Sequence, residues 1–169
     1  MNNSNKILAL FAITTILLFT NRITAQEKSK PINYDKGWRV GGGLSSGVPH
    51  DDDDYDFSVG ADARVQYDFS KKTSLSLTTG YTHLFSKDLP DLGFVPLKAG
   101  FKYFFFDKFY GMGEIGGGIG THKDMNNFLL FAPSIGYATK YFDVSLKHEF
   151  YPELKTDLIA LRIAYGFRL

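Results

Sequence analysis

The sequence predicts an all-β chain, an eight-stranded antiparallel up-and-down transmembrane β-barrel preceded by a cleaved signal peptide. Three observations point to it. From Gly37 onward apolar and polar residues alternate with period two, the spacing that sends successive side chains to opposite faces of a strand. The connections between the alternating runs are short and long by turns, as an even meander needs when tight turns gather at one end and loops at the other. Finally, 16 Phe and 10 Tyr stand beside 17 Gly in 169 residues, large surfaces next to holes in one domain's worth of chain.

Residues 1–25 read as the signal peptide. MNNSNK supplies a positive charge, ILALFAITTILLF is apolar but short for a spanning helix, and NRITAQ places a small residue, Ala25, at the cleavage position. Residues 26–36 form a short N-terminal segment, and residues 37–169 form the barrel domain. With Lys6 and Arg22 removed, the 19 basic residues no longer outnumber the 18 acidic ones. A near-neutral chain has no electrostatic reason to bind nucleic acid. The absence of cysteine excludes disulfides, thiolate metal sites and lipid attachment to an N-terminal cysteine.

The strands follow in order. WRVGGGLSS sets Trp38, Val40 and Leu44 against Arg39, Gly41 and Gly43. DFSVGADARVQYDF separates Phe57, Val59, Val65, Tyr67 and Phe69 from Ser58, Asp62, Arg64 and Gln66. SLSLTTGYTH continues with Leu75, Leu77 and Tyr81, and FVPLKAGFKYFF with Val95, Leu97, Phe101, Tyr103 and Phe105 against Pro96, Lys98, Gly100 and Lys102. In FYGMGEIGGGIG the apolar set is Phe109, Ile115 and Ile119, opposite Tyr110, Met112 and Glu114. FLLFAPSIGY contributes Leu129, Phe131, Pro133, Ile135 and Tyr137. YFDVSLKHEF sets Phe142, Val144, Leu146, His148 and Phe150 against Asp143, Ser145, Lys147 and Glu149. DLIALRIAYGFRL closes the series with Ile159, Leu161, Ile163, Tyr165, Phe167 and Leu169 opposite Arg162, Gly166 and Arg168. SKKT, FDK and TK are the short turns, whereas VPHDDDD, SKDLPDLG, THKDMNN and PELKT are the loops.

Alternation does not by itself say which face points outward. A soluble lipocalin-like carrier would turn the apolar face inward around a ligand, and an outer-membrane barrel would turn it to lipid. The glycines decide for lipid: they share the mixed face with the charges, where they would cover a soluble exterior poorly but suit a narrow interior. Aromatic positions agree. Trp38, Tyr67, Tyr103, Phe109, Tyr137, Phe142 and Tyr165 fall near the short turns, and Phe57, Tyr81, Phe150 and Tyr151 near the loops, as two interfacial girdles require. Closure satisfies every strand in a solvent that offers no hydrogen bonds. LRIAYGFRL then closes the barrel against β-strand 38–46. Its Tyr165, Phe167 and final Leu169 resemble the C-terminal signal read by the barrel assembly machinery.

VPLKAGFKYFF followed by KFYGMGEIGGGIG resembles the small outer-membrane β-barrel domain family, sometimes called porin-like, of Bacteroidetes type. The resemblance extends over residues 26–169 and implies an exported eight-stranded outer-membrane barrel. It implies no pore, because eight strands generally leave an interior filled by side chains. Pro96 lacks a ladder donor and is expected at a bulge or strand start.

The functional expectation is a non-enzymatic barrel with a structural or surface-interaction role, in contact with outer-membrane lipid and lipopolysaccharide and with an unidentified envelope protein as a possible partner. Arg64, Lys102, Glu114 and Arg162 are expected to form a salt-bridge plug, the alternative being a narrow path for ions or small solutes. A lipid-modifying enzyme would need a nucleophile and base held together. His148, Glu149, His83 and Ser145 are the candidates, but adjacent strand residues point apart, so Glu149 cannot orient His148. Asp51, Asp52, Asp53 and Asp54 form an acidic loop in which weak divalent-ion binding, bridging to lipopolysaccharide, is the alternative to plain solvation. No catalytic, cofactor-binding or metal-ligating residue is assigned, and no cofactor is implied.

Overall fold

A computed structural model describes residues 36–50, 55–86, 90–121 and 127–169. The expected signal peptide, most of the segment 26–36, and Asp51 to Asp54 lie outside the described residues. Eight strands follow one another: β1 (Gly37–Pro49), β2 (Phe57–Asp68), β3 (Thr73–Phe85), β4 (Leu92–Phe104), β5 (Phe109–Gly120), β6 (Phe128–Ala138), β7 (Phe142–Tyr151) and β8 (Thr156–Arg168). Each pairs antiparallel with the next, and β8 returns to β1, so the sheet closes in sequence order.

The register fixes the barrel's geometry. Paired residues lead from Arg39 in β1 through Gln66, Ser76, Gly100 and Glu114, across the β6–β7 ladder to Glu149 and Leu158, and back into β1 at Pro49. The path re-enters β1 ten residues further on, at Pro49 rather than Arg39. With a rise of about 3.3 Å per residue and about 4.8 Å between strands, that stagger tilts the strands by about 40° and sets a backbone radius of about 8 Å. Strands of 10 to 13 residues at this tilt are long enough to cross a bilayer core.

The two faces divide as the alternation requires. Leu44, Leu77, Leu97, Ile115, Ile135, Leu146 and Ile163 are exposed around the waist. At the short-turn end the outer face carries cross-strand aromatic pairs, Trp38–Tyr67 with centroids 4.9 Å apart, Phe109–Tyr137 at 5.2 Å and Phe142–Tyr165 at 5.4 Å. At the loop end Phe57 stacks on Phe85 at 4.4 Å. A water-soluble monomer would not leave so continuous an apolar belt uncovered. Lipid is the solvent it fits.

Two details differ from the sequence expectation. Tyr151 does not join the outer girdle: it is buried in the lumen, because Phe150 faces out and its neighbour must face in. Pro96 sits in the body of β4, not at a bulge or strand start. The β3–β4 pairs break off at Thr79–Leu97 and resume at Thr82–Phe94 in unchanged register. The missing N–H interrupts the ladder locally, while β4 continues its pairing with β5 through Pro96–Gly118. Pro133 behaves alike in β6, pairing with Gly113 on the β5 side and falling in a gap of the β6–β7 ladder. Each proline leaves one neighbouring ladder intact, and closure survives both.

Candidate functional site: the filled lumen

The lumen is built in layers by inward residues of all eight strands. At the short-turn mouth Arg39 Nε donates to Asp68 Oδ2 at 2.6 Å, and Asp68 Oδ1 accepts from Gln66 Nε2 at 2.6 Å and Ser74 Oγ at 2.7 Å. These residues come from β1, β2 and β3, so one carboxylate ties three strands together. A little deeper Lys102 Nζ donates to Asp143 Oδ2 at 2.7 Å while lying 4.0 Å from the centre of the Tyr110 ring, whose hydroxyl donates to Asp143 Oδ1 at 2.6 Å. Phe104, Met112 and Ala138 pack beside Tyr110 in a small apolar patch.

The waist is ionic. Arg162 from β8 grips Asp62 of β2 through both carboxylate oxygens, Nε to Oδ2 at 2.7 Å and Nη2 to Oδ1 at 2.5 Å. This planar fork crosses over β1, and it is seated above Gly43, where an added Cβ would lie 2.8 Å from the guanidinium carbon. Arg64 donates from Nη2 to Glu114 Oε1 at 2.9 Å and from Nε to Thr78 Oγ1 at 2.9 Å; Thr78 itself donates to Glu114 Oε1 at 3.0 Å. Higher up, Lys98 and Lys147 converge on Glu149 Oε1, at 3.1 Å and 2.9 Å, and Tyr151 donates to its other oxygen at 2.8 Å. The interior glycines make room for these large groups. Gly136 is the seat of the Tyr110 ring, and Gly118 that of Phe128.

Above Glu149 the lumen turns apolar. Leu84, Phe94, Phe128, Leu130, Ala132, Tyr151 and Leu158 form one buried cluster, with Tyr55, Leu92 and Leu154 packed against it. Phe94 meets Phe128 edge-on at 4.9 Å and Tyr151 at 5.7 Å. A 3-10 turn, Pro152–Leu154, follows β7; it ends at Lys155 in a left-handed conformation, and Glu153 accepts from the Leu129 amide at 3.0 Å. The aromatic cluster therefore fills the loop end, while the ionic layers, with the small apolar patch around Tyr110, occupy the waist and the turn side. A cavity of about 70 Å³ opens among Arg39, Gln66, Lys102, Asp143 and Arg162 on the turn side. Glu149 and the apolar cluster take no part in its wall.

The four plug residues expected from sequence all point inward. Arg64 and Glu114 pair with each other; Lys102 and Arg162 instead take Asp143 and Asp62. The hydrolase candidates are not brought together. Ser145 and Glu149 are buried in the lumen, whereas His148 lies on the outer face of β7, hydrogen-bonded to Asp157 and against Phe150 at 4.0 Å. His83 is on β3, across the barrel, between Tyr81 at 3.2 Å and Asp91 at 3.4 Å. The Ser86 amide and the His83 ring together hold the Asp91 carboxyl below the usual carboxylate range. Among the described residues no cluster of His, Asp or Glu is arranged to hold a metal ion.

The aromatic cluster is the part that alternation missed. Its signal lay at the loop ends of the strands, where THLF, GFVP and FLLF place apolar residues on both faces.

No protein-family model and no curated protein sequence matches the chain. Among solved structures it is similar to the attachment invasion locus protein Ail of Yersinia pestis in complex with the heparin analogue sucrose octasulfate. That match has 13% identity and a TM-score of 0.58, over 80% of this chain and 99% of that one. Ail in a phospholipid bilayer nanodisc aligns with a TM-score of 0.56 at 14% identity, over 79% of this chain and all of the other. A transmembrane β-barrel designed de novo aligns with a TM-score of 0.55 at 16% identity, over 78% of this chain and 98% of that one. At these identities the likeness concerns the fold, and the fold is that of the eight-stranded transmembrane β-barrels of outer membranes.

Proposed function

We propose that the protein is a resident of the outer membrane with a structural or surface-interaction role, closed to solutes and without enzymatic activity. The observation that carries this reading is the lumen: ion pairs, hydrogen bonds and an aromatic cluster occupy successive layers along the axis. A narrow channel would need those layers to part. Each ionic layer is held by carboxylates bonded to two or more donors, so parting one would leave buried charge unpaired. The stretches VPLKAGFKYFF and KFYGMGEIGGGIG support membership of the small outer-membrane barrel family of Bacteroidetes type. In this reading the barrel assembly machinery inserts the chain, its outer face meets lipid and lipopolysaccharide, and the loops make any contact with an envelope partner.

Planar-bilayer recording tests the closed lumen. The folded protein is expected to give no reproducible single-channel steps. Steps that recur from one preparation to the next and shift in Glu114→Ala would replace the plug with a conducting path.

A further inference from the structure

The short-turn end carries a feature that the plug does not use. Lys71 and Lys72 stand in the β2–β3 turn, Lys108 in the β4–β5 turn and Lys140 in the β6–β7 turn, with Lys36 and Arg168 at the β1–β8 seam. Cations thus occur at every connection around this mouth, and Asp107 is the acidic side chain in the three turns. Two of the lysines lie over aromatic rings, Lys108 Nζ 5.8 Å from the centre of the girdle residue Tyr137 and Lys140 Nζ 5.1 Å from that of its turn neighbour Tyr141. The described residues at the loop end have the opposite balance, with Asp56, Asp91, Glu153 and Asp157 against Lys155.

We propose that the ring of turn lysines docks anionic phospholipid headgroups in the leaflet that surrounds the short turns. The inference rests on the transmembrane reading, which places the girdle at headgroup depth. Ammonium groups projecting from that girdle meet lipid phosphates, and an anionic headgroup adds a net charge that a zwitterionic one lacks. The surface is ring-shaped, so it collects several lipids rather than one. Its selectivity is electrostatic and declines with salt.

The chain's single tryptophan makes the test local. Trp38 is on the outer face of β1 at this end, 54% exposed. The protein is refolded into phosphatidylcholine vesicles containing a minor fraction of phosphatidylglycerol, with bromine on the acyl chains of one lipid or the other. The quenching ratio then reports the composition of the shell around Trp38. At least twofold enrichment of phosphatidylglycerol is expected in the wild type. It should fall towards no enrichment in Lys71→Gln/Lys72→Gln/Lys108→Gln/Lys140→Gln, and also in the wild type at 0.5 M salt. A wild-type shell matching the bulk overturns the proposal, and so does enrichment that neither the four substitutions nor salt reduces. Boiled and unboiled samples of each protein are run on a gel beside the quenching measurement. Failure of the barrel reading would appear there as loss of the mobility shift, separately from any change in lipid preference. Should the quadruple variant not fold, the salt series on the wild type decides.

Discussion

The two ends of the lumen are filled by different chemistry on the same scaffold. Towards the short turns, buried charges are held in pairs and triads, as in Arg162 with Asp62 and Asp68 with Arg39, Gln66 and Ser74. Towards the loops the same inward positions hold Leu84, Phe94, Phe128, Leu130 and Leu158. Apolar filling is non-directional and forgiving of small shifts; ionic filling requires matched partners at fixed register. The contrast suggests that the turn-end half specifies strand register and the loop-end half supplies packing. Glu149 and Tyr151 are the joint between them.

The two halves should differ most when a charge is left unpaired in the ionic one. Arg162→Leu strands Asp62, and urea unfolding in detergent micelles should show a loss of about 3–5 kcal/mol. Adding Asp62→Leu should recover most of it, since two apolar groups no longer need each other. In the apolar half Leu158→Ala should cost about 2–4 kcal/mol through lost packing and the cavity left behind, with no second substitution able to rescue it by charge matching. The same unfolding titration, repeated at high salt, should leave the Leu158→Ala loss unchanged.

At the joint, Tyr151→Phe keeps the ring against Phe94 and removes only the hydroxyl that donates to Glu149. A buried acceptor losing one donor should cost about 1–3 kcal/mol in that assay. The smallest effect belongs to the rim. Asp91 has its pKa lowered, by the Ser86 amide first and the His83 ring second, so its contribution is present above the ordinary carboxylate pKa of about 4 and is lost as the pH falls through the lower folded value. Amide exchange at Ser86 should therefore quicken on acidification beyond its intrinsic rate in the wild type, and Asp91→Asn should abolish that extra dependence.

The outer face was legible in the sequence because lipid imposes one rule on every outward position, and period-two spacing displays it. The plug was legible in its members and not in its pairs. Arg162 and Asp62 lie 100 residues apart, and they meet only because the strands tilt and stagger as the closed register dictates. No local pattern encodes that. The aromatic cluster was obscured for another reason: where both faces are apolar, alternation carries no contrast. Phe150–Tyr151 held the clue, because two adjacent aromatics in a regular strand cannot both face lipid. The acidic run at Asp51 to Asp54 lies outside the described residues.

That the apolar face is turned to lipid around a closed barrel is the claim on which all the rest depends. It is tested by heat-modifiable gel mobility on protein refolded in detergent, run beside circular dichroism. Boiled and unboiled samples should migrate differently, and the β spectrum should require detergent. A folded β spectrum in plain buffer, with no mobility shift and with uptake of an apolar ligand, would mean that the apolar face encloses a cavity, and would contradict it.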